Sequence, residues 1–239
     1  MRIQLAGTVS PLILFTTLLF AVYQDGKAGY GQQPPYSYPS TSHSKDALLT
    51  LLRPALRTAR EDGRVYYGGT CPANTGEIVP FPVLQIEAPP TGDLGLVAVR
   101  DIFRAQSGVT IGERPGIIAV TIGDPTLAVL STKIRMLSLT PVEQYNPTLA
   151  INAIEATNEV GAGMQQLRFK TPQITLSEQL VTQPARGLPH LPPSMKDLTL
   201  DQALDSVART FKGIVFYGAC EEPSGDNLMT LEFASGARD

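Results

Sequence analysis

A chain of 239 residues, 43% of them hydrophobic, can bury the core of one large domain or two small ones, which excludes a disordered chain. A formal net charge of −3 and a pI near 5.5 leave no basic footprint of the kind that phosphate contacts need, so nucleic acid is excluded as a partner class. The 20 prolines and 21 glycines, set among only 17% charged residues, favour many turns and short strands over a long helical bundle.

After Met1 and Arg2 an uncharged, mostly apolar run extends from Ile3 to Tyr23 around LILFTTLLFAV. This is the n-region and h-region order of a secretory signal. Cleavage after Ala21 is one reading, with Leu19 at the −3 position. An uncleaved anchor is the other, since about 20 apolar residues just span a bilayer. Both predict an exported chain, periplasmic or secreted, whose contact with a membrane is confined to residues 3–23. Residues 24–44, QDGKAGYGQQPPYSYPSTSHS, have no apolar periodicity and too little apolar surface to offset the cost of ordering. They are expected to form a flexible tether, with His43 inert within it.

Residues 45–123 read as a first α+β unit. Ser44 is the expected N-cap of a helix through DALLTLLRPALRTARED, where Leu48, Leu51, Leu52, Ala55, Leu56 and Ala59 share one face and Pro54 should bend or interrupt the run. A strand from Arg64 to Gly68 follows, then a loop with Cys71 and a second apolar run, Phe81 to Ala88, expected as a strand ended by Pro89 and Pro90. Leu96, Val99, Ile102 and Phe103 mark a second helix closed by Gly108. Strands are expected at 109–111 and 117–122.

Residues 124–193 read as a helical, proline-rich connector. Asn146 and Pro147 make a helix start, and Leu149, Ile151, Ala153, Ile154, Ala156, Val160 and Met164 lie on one broad face. A strand is expected at 173–176. In residues 194–239, Thr199 and Gln202 form a T-x-x-Q capping box. Leu200, Ala203, Leu204, Val207, Ala208 and Phe211 make the helix face, Gly213 ends it, and strands follow at 214–217 and 228–233.

The end of the chain echoes its beginning. GIVFYGAC, from Gly213 to Cys220, restates GRVYYGGTC, from Gly63 to Cys71, and a shift of 152 lays Ala203, Leu204, Val207, Ala208 and Phe211 on Leu51, Leu52, Ala55, Leu56 and Ala59. The expected fold class is therefore α+β, with two related α-β-β units. The order helix, strand, loop, strand, helix and two strands is carried by ALLTLLRPALRTARED with RVYYG, then VLQIE, VAVRDIFRAQSGVTI and IIAVTIG. It resembles the short N-terminal (STN) domain of secretins and TonB-dependent receptors, in an exported bacterial protein. That resemblance implies a periplasmic module docking onto envelope proteins, without catalytic residues.

The candidate site residues are few. An even cysteine count in an exported chain favours a Cys71–Cys220 disulfide, with two separate thiols or a bridge between chains as the alternatives. Tyr66 with Tyr67, and Phe216 with Tyr217, alternate across strands, so one ring of each pair is expected in the core and the other at the surface. A cysteine-dependent enzyme or thiol redox protein would use Cys71 or Cys220 with His190 of GLPHLPP as base. No metal-ligand cluster, phosphate loop or other cofactor motif is written in the chain.

Overall fold

The computed structural model describes residues 41–72, 78–90, 92, 95–170 and 187–236. The signal or anchor, 1–23, most of the tether and the strand expected at 173–176 lie outside them. Helix α1 (Thr41–Ala59) buries Leu48, Leu52, Ala55 and Leu56. It takes in Thr41 to Ser44, the end of the predicted tether, so Ser44 is not its N-cap. Pro54 sits inside the helix without ending it. The carbonyl it orphans belongs to Thr50, which is exposed and open to water. Arg60, at φ 59°, closes the helix, and Glu61 N donates back to Leu56 O at 3.1 Å.

Strand β1 (Asp62–Thr70) follows, then α2 (Gly95–Ile102), β2 (Val109–Arg114) and β3 (Ile117–Gly123). A 3-10 turn at Ala128–Ser131 leads into β4 (Lys133–Ser138). Next come α3 (Pro141–Tyr145), α4 (Pro147–Glu155), α5 (Asn158–Gln166), β5 (Ser194–Thr199), α6 (Leu200–Phe211), β6 (Gly213–Glu221) and β7 (Asn227–Ser235). The chain is thus α+β. Among the described residues no helix is long and apolar enough to cross a membrane.

Five strands form one mixed sheet in the order β2-β3-β1-β6-β7. The inner three are parallel, and β2 and β7 run antiparallel at the edges. The two echoed strands are therefore neighbours at the centre of a single sheet, paired from Gly63 with Ile214 to Thr70 with Glu221. Because strand side chains alternate between faces, Val65, Tyr67, Ile214 and Phe216 meet α1 and α2 on one face. Tyr66, Val215, Tyr217 and Ala219 meet α4, α5 and α6 on the other.

Three expectations are corrected. Phe81 to Ala88 is not a strand: Pro80, Pro82, Pro89 and Pro90 lack the N–H a ladder needs, and Val83 is 68% exposed. The helix expected from Asn146 onward is two helices, parted at 156–157. Gly213 does not end α6; Lys212 does, at φ 54°, while Gly213 begins β6, where a Cβ would lie 2.3 Å from the Phe233 ring. The stretch expected as a connector contributes Val129, Leu130, Ile134, Leu137, Ile151, Ile154, Val160 and Met164 to the core under α6. Its β4 pairs antiparallel with β5.

Candidate functional site

The sheet face beneath α6 is unevenly covered. Helix α6 packs on β1 and β6 and α4 on β7, but over β2 and β3 there is a cleft of about 510 Å³. Its floor is made of small residues, Gly112, Ala119 and Thr121, and its rim includes Leu127, Leu130 and Asp201. Beside it runs the outer edge of β2, which no described strand covers. Gly123 N donates to Gly108 O at 2.9 Å, so these two form a hydrogen-bonded antiparallel pair. The register then makes 110/121, 112/119 and 114/117 bonded pairs, and points the N–H and C=O groups of Val109, Ile111 and Glu113 away from the sheet. The hairpin is set by the Pro115-Gly116 turn, with Gly116 at φ 76°.

A charged network closes one end of the cleft. Arg64 of β1, with a fully buried side chain, lies 3.1 Å from Asp201 and 3.1 Å from Asp205, both on α6. Arg114 of β2 pairs with Asp201, lies 3.1 Å from Asp205 Oδ1, and donates to Tyr66 Oη at 2.6 Å. Tyr66 Oη donates to Asp201 Oδ1 at 2.8 Å. Burial, helped by Asp201 and opposed by Arg64 and Arg114, pushes the Tyr66 hydroxyl up to about 12. Burial would lower Arg114, but its hydrogen bond to Asp201 and the charges of Asp201 and Asp205 hold it above its usual value. Burial also pushes Asp205 up, against the pull of Arg64 and Arg114. Arg64 and Arg114, joined by the more exposed Arg209 at 3.4 Å from Asp205 Oδ2, thus balance the two carboxylates, and the hydroxyl is locked between Arg114 and Asp201. The arrangement is a clamp tying β1 and β2 to α6, with no nucleophile free to react.

The cysteines lie at the carboxyl ends of β1 and β6. Cys71 and Cys220 are bonded, with Cα atoms 5.0 Å apart, and both are buried. Of the three pairings open in the sequence, the structure has the bridge within the chain, and no free cysteine remains. His190 is exposed. It stacks on Tyr145 at 5.0 Å between ring centroids and faces Leu188 O at 3.1 Å, so it is engaged with neither cysteine. Among the described residues no group of three or more His, Cys, Asp or Glu side chains could hold a metal ion.

Tyr66, Tyr67, Phe216 and Tyr217 are all at most 5% exposed, which corrects the expectation of one surface ring in each pair. Helices cover both faces at the sheet centre, so either side of β1 or β6 is core. Tyr67 stacks edge-on to Phe81 and Tyr217 donates to Thr126 O at 2.6 Å.

No family model, curated protein or solved structure matches this chain. The functional reading therefore rests on its own residues. The charged network of Arg64, Arg114, Asp201 and Asp205, of which Arg114 and Asp201 line the cleft, carries a signal that sequence reasoning passed over. An arginine within an otherwise apolar strand, GRVYYG, needs a buried acid, and Asp201 with Asp205 stands four apart beside the apolar face of an amphipathic helix.

Proposed function

We propose that this chain is an exported, non-enzymatic docking module of a bacterial envelope, which holds another protein along the free edge of β2. The observation that carries the reading is the row of outward backbone groups at Val109, Ile111 and Glu113, standing next to an open cleft. Such an edge accepts an extended segment of a partner as a further strand. The buried Cys71–Cys220 bridge supports an oxidising compartment. The resemblance of the first unit to the short N-terminal domain of secretins and TonB-dependent receptors supports an envelope partner. The two halves are read as related α-β-β units laid side by side: α1 with β1 and α6 with β6, helices on opposite faces.

A photo-crosslinking residue at Ile111, compared with one at exposed Arg135 on β4, tests the reading in exporting cells. A discrete adduct at Ile111 and none at Arg135 is expected. Equal labelling at both, or none at Ile111, removes the β2 edge as a working surface. Intact mass and fractionation of the same cells test export.

A further inference from the structure

Resting on that docking reading, we infer that the β2 edge selects an antiparallel partner segment in which a basic residue is followed by a bulky apolar one and then a β-branched one. The selection comes from three consecutive positions of β2. Glu113 is exposed, and no ion pair or hydrogen bond engages its carboxylate among the described residues. Gly112 presents open space: a Cβ built there meets nothing within 4 Å, and it borders the cleft over Ala119 and Thr121. Ile111 is half-buried on the opposite face, beside the α1 and α2 core.

Outward hydrogen bonds come from residues 111 and 113, so the partner residue opposite Gly112 occupies the non-hydrogen-bonded position, where side chains approach most closely. A large ring or branched chain there covers the edge glycine and fills the cleft. The neighbouring partner residue, opposite Glu113, lies on the other face, where a cation completes the pair. A second copy of this chain fits worse. Setting Ile111 opposite its own copy places Thr110 over Gly112 and Val109 opposite Glu113, which leaves the cleft unfilled and the carboxylate unpaired.

The probe is the capped octapeptide Gly-Thr-Lys-Phe-Ile-Thr-Val-Gly, with versions carrying Glu for Lys or Ala for Phe, titrated against the full chain by fluorescence anisotropy. The Lys peptide should bind about threefold to fivefold more tightly than the Glu peptide, the range of a cross-strand ion pair. Glu113→Lys should reverse that order. Gly112→Leu, which the open space tolerates, should weaken the Phe peptide by about tenfold and leave the Ala peptide nearly unchanged, as expected when one large side chain loses its pocket.

An order unchanged by Glu113→Lys, or equal binding of the Phe and Ala peptides, overturns the proposed selectivity. So does a concentration-dependent dimer that Gly112→Leu abolishes, which would make the second copy the occupant. Amide exchange separates the two levels. If every peptide slows Val109, Ile111 and Glu113 equally, docking survives and the selectivity fails. If none slows them, docking falls as well.

Discussion

Arg64 Nη1 donates to Asp205 Oδ1 at 3.1 Å across 141 positions of sequence, joining the central strand to the helix that covers it. The Arg64 side chain is wholly buried and its Nε has no hydrogen-bond partner, so the two aspartates supply most of its compensation. Removing one member of such a pair leaves an uncompensated buried charge. Asp205→Ala should therefore cost about 3–5 kcal/mol, while a paired Arg64→Met/Asp205→Leu change should recover much of the loss. Urea denaturation of the parent and the two variants measures both, and a double variant no more stable than Asp205→Ala would refute the coupling.

The Cys71–Cys220 bridge spans 149 positions, and the sheet register already places Gly69 opposite Cys220. It therefore ties together strand ends that pairing has brought close, and its effect falls mainly on the unfolded chain. In the chain-entropy account a loop of this length contributes about 5 kcal/mol. A Cys71→Ala/Cys220→Ala variant should lose roughly 15 °C in Tm yet keep its far-UV dichroism in the cold. A Tm within a few degrees of the parent would show that the reduced chain is already constrained by residual structure.

The local elements were the legible part of this chain. Asn146 caps α4 as its position before Pro147 implies, with Oδ1 accepting from Thr148 N at 3.0 Å and Leu149 N at 3.1 Å. Both halves of the Thr199 and Gln202 capping box are present. These signals involve partners two or three residues apart, so the sequence holds both ends of each bond. The partnership of β1 with β6 is different. Periodicity tells which side of a strand is apolar but not which strand lies beside it. The echo even misleads by one place, because the sheet aligns Tyr66 with Tyr217, not with Phe216. One residue of shift exchanges the faces, so equivalent positions of the echo look toward different helices. The cleft was hidden for the same reason: Gly112, Ala119 and Thr121 become a floor only once β2 and β3 are paired and no helix covers them.

Glu155 ends α4 under the influence of the core, and burial pushes its carboxyl up to about 7. The unfolded carboxyl titrates near 4.3, so between these values the folded chain binds the extra proton. The associated stability is fully present below about pH 4.3 and is lost as pH rises through 7. Glu155→Gln, which mimics the protonated form, should stabilise the protein by on the order of 2 kcal/mol at pH 8 and scarcely at all at pH 4. Denaturant midpoints at the two pH values decide the matter. An equal effect at both would mean that Glu155 acts through packing and does not titrate between them.

Two glycines of the sheet should respond in opposite ways to the same small change. Gly68, near the end of β1, has φ 148°, and a Cβ there would lie 1.7 Å from the carbonyl oxygen of Ala219 on β6. That oxygen is backbone within a parallel pair closed by the disulfide bridge at the next residue, Cys220, so it cannot withdraw without parting the strands. Gly68→Ala is expected to cost more than about 4 kcal/mol, the range reserved for strain at a special backbone position with a packing clash. Gly112 has an ordinary extended backbone and open space above it, so Gly112→Ala should be neutral or stabilising by up to about 1 kcal/mol. Thermal melts of the two single variants make the comparison within one sheet. Equal losses would mean that β2 is held as tightly as β1, and with it would go the room that a docked side chain needs.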